Sequence, residues 1–142
     1  MPALESDIRL TLPARPENVA VVRHVLGALA DALDLPAAVT EDMRLAVTEA
    51  CTNVVRHAYA GERGPIDVAI RPRDGDLEVT VADSGRGIGV SGDTADTGGP
   101  GLGLPLIAAL SDSLEIEDLR GAGSRLVMSF VRTRDTAAIG IA

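Results

Sequence analysis

Ile8, Leu10 and Leu12 alternate with polar residues and Pro13 follows, a period of two that predicts a half-buried strand at a sheet edge. From Pro16 to about Leu33 the period lengthens, and Val19, Val22, Leu26, Leu29 and Leu33 share one stripe of a helix that Leu35-Pro36 breaks. A second helix is predicted from Thr40, read as its N-cap, to about Tyr59, with Glu41 and Asp42 where the helix dipole favours negative charge. Its Met43, Val47, Ala50, Val54 and Ala58 should face the sheet. Glu49, Asn53 and His57 recur at i, i+4 steps beside them, on a stripe that borders the core and can line a cleft.

Two alternating runs follow, Ile66-Val68-Ile70 and Leu77-Val79-Val81, and Asp74-Gly75 between them signals a tight hairpin. The segment from Gly85 to Gly103 is rich in glycine, Ser, Thr and Asp, and loops this long in compact domains are usually lids, binding loops or disordered. Leu104 to Leu110 resumes a short helix. Leu114 and Ile116 predict another strand, Gly121-Ala122-Gly123 a turn, and Leu126, Met128 and Phe130 a final strand. The expected organisation is a single domain over 1–142, ordered from about 6 to 132, with a C-terminal tail at 133–142.

Composition narrows the chemistry. Tyr59 and Phe130 are the only aromatic rings, so the core must be aliphatic and no stacking platform for single-stranded nucleic acid exists. A formal charge of -8 argues against a phosphate-backbone partner. Every basic residue is Arg, which closes the lysine-dependent P-loop reading. The single cysteine, Cys51, falls within the helical pattern and reads as a buried thiol in a reducing compartment. With neither a signal peptide nor a run of about 18 apolar residues, the expectation is a cytoplasmic protein without a membrane anchor.

Three elements carry candidate chemistry. Glu49 and Asn53 lie four residues apart on one helical face, where a carboxylate can take a proton and an amide oxygen can ligate a hard cation such as Mg2+. Each residue alone would ordinarily be solvated surface. Asp83 closes an alternating strand ahead of Gly85 and Gly87; it can start a turn, or accept a hydrogen bond from an exocyclic amine beside glycines that leave room for a base. Gly99, Gly101 and Gly103 precede a helix and read either as linker or as backbone N–H groups turned toward an anion. His57 lacks the companions of a zinc site, and no Ser-His-Asp set stands out.

In this order the elements resemble the Bergerat-fold nucleotide-binding superfamily, which includes gyrase and the histidine kinases. Glu49 to Asn53 looks like its N box, Asp83 to Gly87 its first glycine box, and Thr97 to Gly103 its second. Val47-Thr48-Glu49-Ala50-Cys51-Thr52-Asn53 with His57-Ala58-Tyr59 is most similar to the bacterial anti-sigma factor serine kinases, from about Ile8 to Arg132. The resemblance implies an α/β two-layer sandwich, with a mixed, mainly antiparallel sheet, helices on one face and a glycine-rich ATP lid. It implies ATP as the nucleotide, Mg2+ held through Asn53, adenine read by Asp83, and Glu49 as general base toward a serine hydroxyl. His57, Gly85, Gly87, Ile88, Thr97, Gly99, Gly101, Leu102 and Gly103 would line the nucleotide site, and Ser124 would lie near the adenine. Arg23 matches a partner-contacting position, and in a lid without lysine the γ-phosphate cation would be an arginine such as Arg86 or come from the partner.

The implied function is sequestration of a sigma factor and phosphorylation of a serine on an anti-anti-sigma protein of the STAS type, by a homodimer that contacts neither nucleic acid nor membrane. Two alternatives stand beside it. One is a nucleotide-binding anti-sigma regulator without significant kinase activity; the other is a histidine-kinase-type catalytic module acting in trans.

Overall fold

The inward side chains of five strands gather under three helices in the computed structural model, which describes residues 7–85, 103–119 and 121–132. β1 (Ile8–Pro13), β2 (Pro65–Pro72), β3 (Asp76–Asp83), β4 (Ser113–Asp118) and β5 (Ser124–Val131) form one sheet in the order β1-β2-β3-β5-β4. Each neighbouring pair is antiparallel, so the mixed sheet implied by the resemblance is not found among the described strands. The reason is topological. β3 and β4 run the same way, because each is antiparallel to β5, but β5 inserts between them and no parallel ladder forms.

α1 spans Pro16–Leu33, as the apolar stripe predicts. It ends one step before Leu35-Pro36: Asp34 turns left-handed at φ 59°, and Leu35 N–H donates to the Ala30 carbonyl at 3.0 Å while Asp34 N–H donates to that of Asp31 at 3.1 Å. That pair of bonds is a Schellman motif. α2 runs Ala37–Asn53 with Pro36 as its N-cap, so Thr40 is not the cap. Proline's preset φ starts the helix early, and the Thr40 hydroxyl instead donates back to the Pro36 carbonyl at 3.1 Å. Glu41 and Asp42 consequently lie beyond the first turn, where the dipole acts weakly.

The helix then widens into a π turn, Val54–Ala58, and ends at Tyr59 close to the predicted boundary. α3, Gly103–Leu110, packs with α1 against α2, which is the central helix. Leu26 and Met43 from the helices, Ile107 from α3, and Ile66, Leu77, Val79, Met128 and Phe130 from the sheet are fully buried in one core. The core is aliphatic, with Phe130 its only fully buried ring.

Candidate functional site

Strand alternation places Asp83 in line with Leu77, Val79 and Val81, on the face beneath the helices, and Ser124 in line with Leu126, Met128 and Phe130. Asp83 ends β3 and Ser124 starts β5 directly opposite it. Among the described residues these two are the only buried polar or charged side chains, each 7% exposed. A buried carboxylate is costly unless hydrogen-bonded, and both oxygens of Asp83 are engaged. Oδ1 accepts from Gly85 N–H at 2.8 Å, and Oδ2 accepts from the Ser124 hydroxyl at 2.7 Å. Each oxygen keeps lone-pair capacity, so the carboxylate can take one more hydrogen bond at the open end of the sheet.

Two glycines make this packing possible. Gly123 holds φ +114°, and a Cβ there would collide with the Asp83 carbonyl. A Cβ at Gly85 would collide with the Ala58 carbonyl at the end of the π turn. Gly85 therefore ties the Asp83 turn to the helix that carries Glu49 and Asn53.

Asn53 is half-buried as the last α-helical residue of α2, and it abuts the start of α3: a Cβ on Gly103 would lie 2.7 Å from the Asn53 amide nitrogen. Glu49 sits one turn earlier on the same side of the helix and is also half-buried. His57 lies in the π turn, four residues beyond Asn53, and is half-buried as Glu49 and Asn53 are. Arg86, Gly87, Ile88, Thr97, Gly99, Gly101 and Leu102 lie outside the described residues. Of the predicted set, then, Asp83, Gly85 and Ser124 form one cluster, Asn53 and Gly103 another, and the end of α2 joins them.

The predicted set omitted Tyr59. Its hydroxyl donates to the Pro65 carbonyl at 2.6 Å and accepts from Ser84 N–H at 2.9 Å, bracing the residue beside Asp83. Burial, the largest influence, raises the phenol above its ordinary pKa, with Asp83 and Asp67 adding and the bonds to Ser84 opposing. A signal was present in sequence, since the only tyrosine stands at the end of the helix predicted to carry the site. A cavity of about 500 Å³ between the end of β1 and the loop before β2 is lined by Pro13, Arg15, Arg63 and Pro65 among others, and holds none of the predicted site residues.

The sequence pattern of the histidine kinase-like ATPase domain matches residues 12–130. The serine-protein kinase RsbW of Bacillus thuringiensis (strain Al Hakam) is 34% identical over 121 residues, covering 77% of this chain and 76% of its own. RsbW of Bacillus pumilus (strain SAFR-032) is 34% identical over 125 residues, covering 78% and 77%. Among solved structures, the RsbU and RsbW domains of Rv1364c from Mycobacterium tuberculosis superpose with a TM-score of 0.69 at 22% identity. That match covers 92% of this chain, which spans 35% of the other. The histidine kinase domain of Erythrobacter litoralis EL346 gives 0.60 at 22% identity, covering 78% of this chain and 60% of its own. The carboxylate–serine pair at the sheet end and the amide at the helix end are thus features of a chain that belongs to the histidine kinase-like ATPase domain family.

Proposed function

We propose that this chain is an ATP-dependent protein-serine kinase and anti-sigma factor, acting by partner switching between a sigma factor and an anti-anti-sigma protein. The observation that carries the reading is the buried Asp83–Ser124 pair, tied through Gly85 to the helix that bears Glu49 and Asn53. Asp83 accepts a hydrogen bond from the adenine amine while Gly85 N–H and the Ser124 hydroxyl hold the carboxylate in place. Asn53 and the α3 start at Gly103 face the phosphates. Among the described residues no three His, Cys, Asp or Glu side chains converge, so a cation beside Asn53 would take its other ligands from phosphate and water, the habit of Mg2+. Such an ion neutralises charge on the phosphates when bound.

Glu49 takes the proton from the incoming serine hydroxyl as the serine oxygen bonds the terminal phosphorus and the bond to the ADP oxygen breaks. The acidic chain, with a formal charge of -8, suits basic patches on a sigma factor. No described helix is long and apolar enough to cross a membrane. The working form in this proposal is a cytoplasmic homodimer, and the antagonist is of the STAS type.

The test is serine phosphorylation of the cognate anti-anti-sigma protein with labelled ATP and Mg2+. Glu49→Gln should slow phosphotransfer by about 100- to 10,000-fold with ATP affinity nearly unchanged. Asn53→Ala should instead weaken Mg-ATP binding about tenfold or more. Wild-type protein that binds its partner and ATP yet leaves no phosphoserine would rule the kinase out, leaving the binding-only regulator.

A further inference from the structure

Asp83, Ser84 and Gly85 make a short turn closed by the bond from Gly85 N–H to the Asp83 carboxylate. Everything Asp83 does depends on the peptide in the middle of that turn, and Ser84 itself is exposed. The peptide is gripped from two sides. Gly123 packs against the Asp83 carbonyl from the β5 side, and the Tyr59 hydroxyl accepts Ser84 N–H from the helix side. Tyr59 is itself held, because its hydroxyl proton goes to the Pro65 carbonyl at the start of β2.

The backbone around Tyr59 is built to keep the ring there. The π turn of Val54–Ala58 leads directly into Tyr59, and Ala60 and Gly61 then take φ 49° and +88° in a turn closed by Glu62 N–H donating to the Tyr59 carbonyl at 2.8 Å. Gly64 closes the space: a Cβ at that position would overlap the tyrosine ring. Neither Tyr59 nor Gly64 belongs to the predicted nucleotide-binding set.

We propose that Tyr59, seated on Gly64, is the positioning residue of the adenine site: its hydroxyl fixes the Ser84 peptide, and through it the aim of the Asp83 carboxylate. The role rests on the reading of Asp83 as the adenine acceptor. Tyr59 works as a neutral phenol, donor to Pro65 and acceptor from Ser84 at once, and a phenylalanine ring fills the same space while making neither bond. Loss of the hydroxyl leaves the fold standing but lets the turn rock, which costs nucleotide binding and base discrimination and spares the chemical step.

Tyr59 is the only tyrosine and the chain has no tryptophan, so wild-type protein grown with 3-fluorotyrosine carries a single fluorine reporter beside the site. Its ¹⁹F resonance should shift on titration with Mg-ATP and saturate at the binding Kd. Binding of ATP and of GTP is then compared for wild type, Tyr59→Phe, Gly64→Ala and Asp83→Asn. Tyr59→Phe and Gly64→Ala should raise the ATP Kd about 5- to 10-fold, as expected for one hydrogen bond lost at a site. GTP binding should move much less, and kcat for serine phosphorylation at saturating ATP should stay within about twofold, since no group at the reacting phosphate is touched. A global loss of folded protein would lower both nucleotides together. A resonance unmoved at saturating ATP, or Tyr59→Phe binding ATP like wild type while Asp83→Asn binds it poorly, overturns the role of Tyr59. Asp83→Asn binding ATP as wild type does, with unchanged discrimination, overturns the adenine reading itself and the role of Tyr59 with it.

Discussion

Gly123 shows how one residue without a side chain secures the chemistry of another. Its φ of +114° is disfavoured for any L side chain, and a Cβ would press on the Asp83 carbonyl, a backbone atom with no rotamer to yield. Gly123→Ala should therefore cost about 2–4 kcal/mol by urea unfolding, strain and overpacking combined, and should weaken ATP binding in the same protein. A stability loss under about 0.5 kcal/mol, the size of an ordinary surface change, would contradict this account. Asp83 was readable from sequence as a strand-end carboxylate before glycine. Its burial and its pairing with Ser124 were not, because the two residues are 41 apart and only the β3–β5 register sets them opposite. Tyr59 was legible as a motif letter but not as a brace, since its partners come from β2 and the β3 exit.

At the scale of elements, periodicity located strands and helices well, and local backbone chemistry set their ends. The α1 stripe and the Pro16 start were read directly, whereas its stop depends on Asp34 adopting the left-handed conformation that glycine adopts without strain. Asp34→Gly should accordingly raise stability by about 0.5–1 kcal/mol in urea melts, with nucleotide binding unchanged; a loss of stability would show that the aspartate side chain supports the cap. Thr40 looked like a cap because capping residues are named by type, but Pro36 already had the extended geometry that starts the helix. The π turn had no counterpart in the sequence pattern. It ends where Ala58 meets Gly85 and Tyr59 meets β2.

For the whole molecule, the decisive feature is an aliphatic core that encloses a thiol. Cys51 is fully buried and its thiol is pushed up to about 12 from 9.0, by desolvation. The sign follows from the folded pKa lying above the unfolded one: the contribution is complete below pH 9 and is lost as pH rises toward 12, because only the unfolded chain ionises there. At pH 10 the loss should be roughly 1–2 kcal/mol relative to neutral pH. Urea unfolding of wild type and Cys51→Ala across pH 8 to 10 measures it, and Cys51→Ala should show a shallower decline. Parallel declines in the two proteins would count against a buried thiol.

What the sequence determined by itself was local and periodic: which residues are apolar at periods of two or 3.6, where glycine and proline punctuate, and which side chains carry protons or ligate cations. Those properties depend on neighbours a few positions away, so a single chain displays them. Tertiary structure decided the insertion of β5 between β3 and β4, the meeting of Asp83 with Ser124 and of Asn53 with Gly103, and the placing of Tyr59 under the Ser84 peptide. Each of these joins residues far apart in the chain through strand register or close backbone contact, and neither is encoded in any one segment.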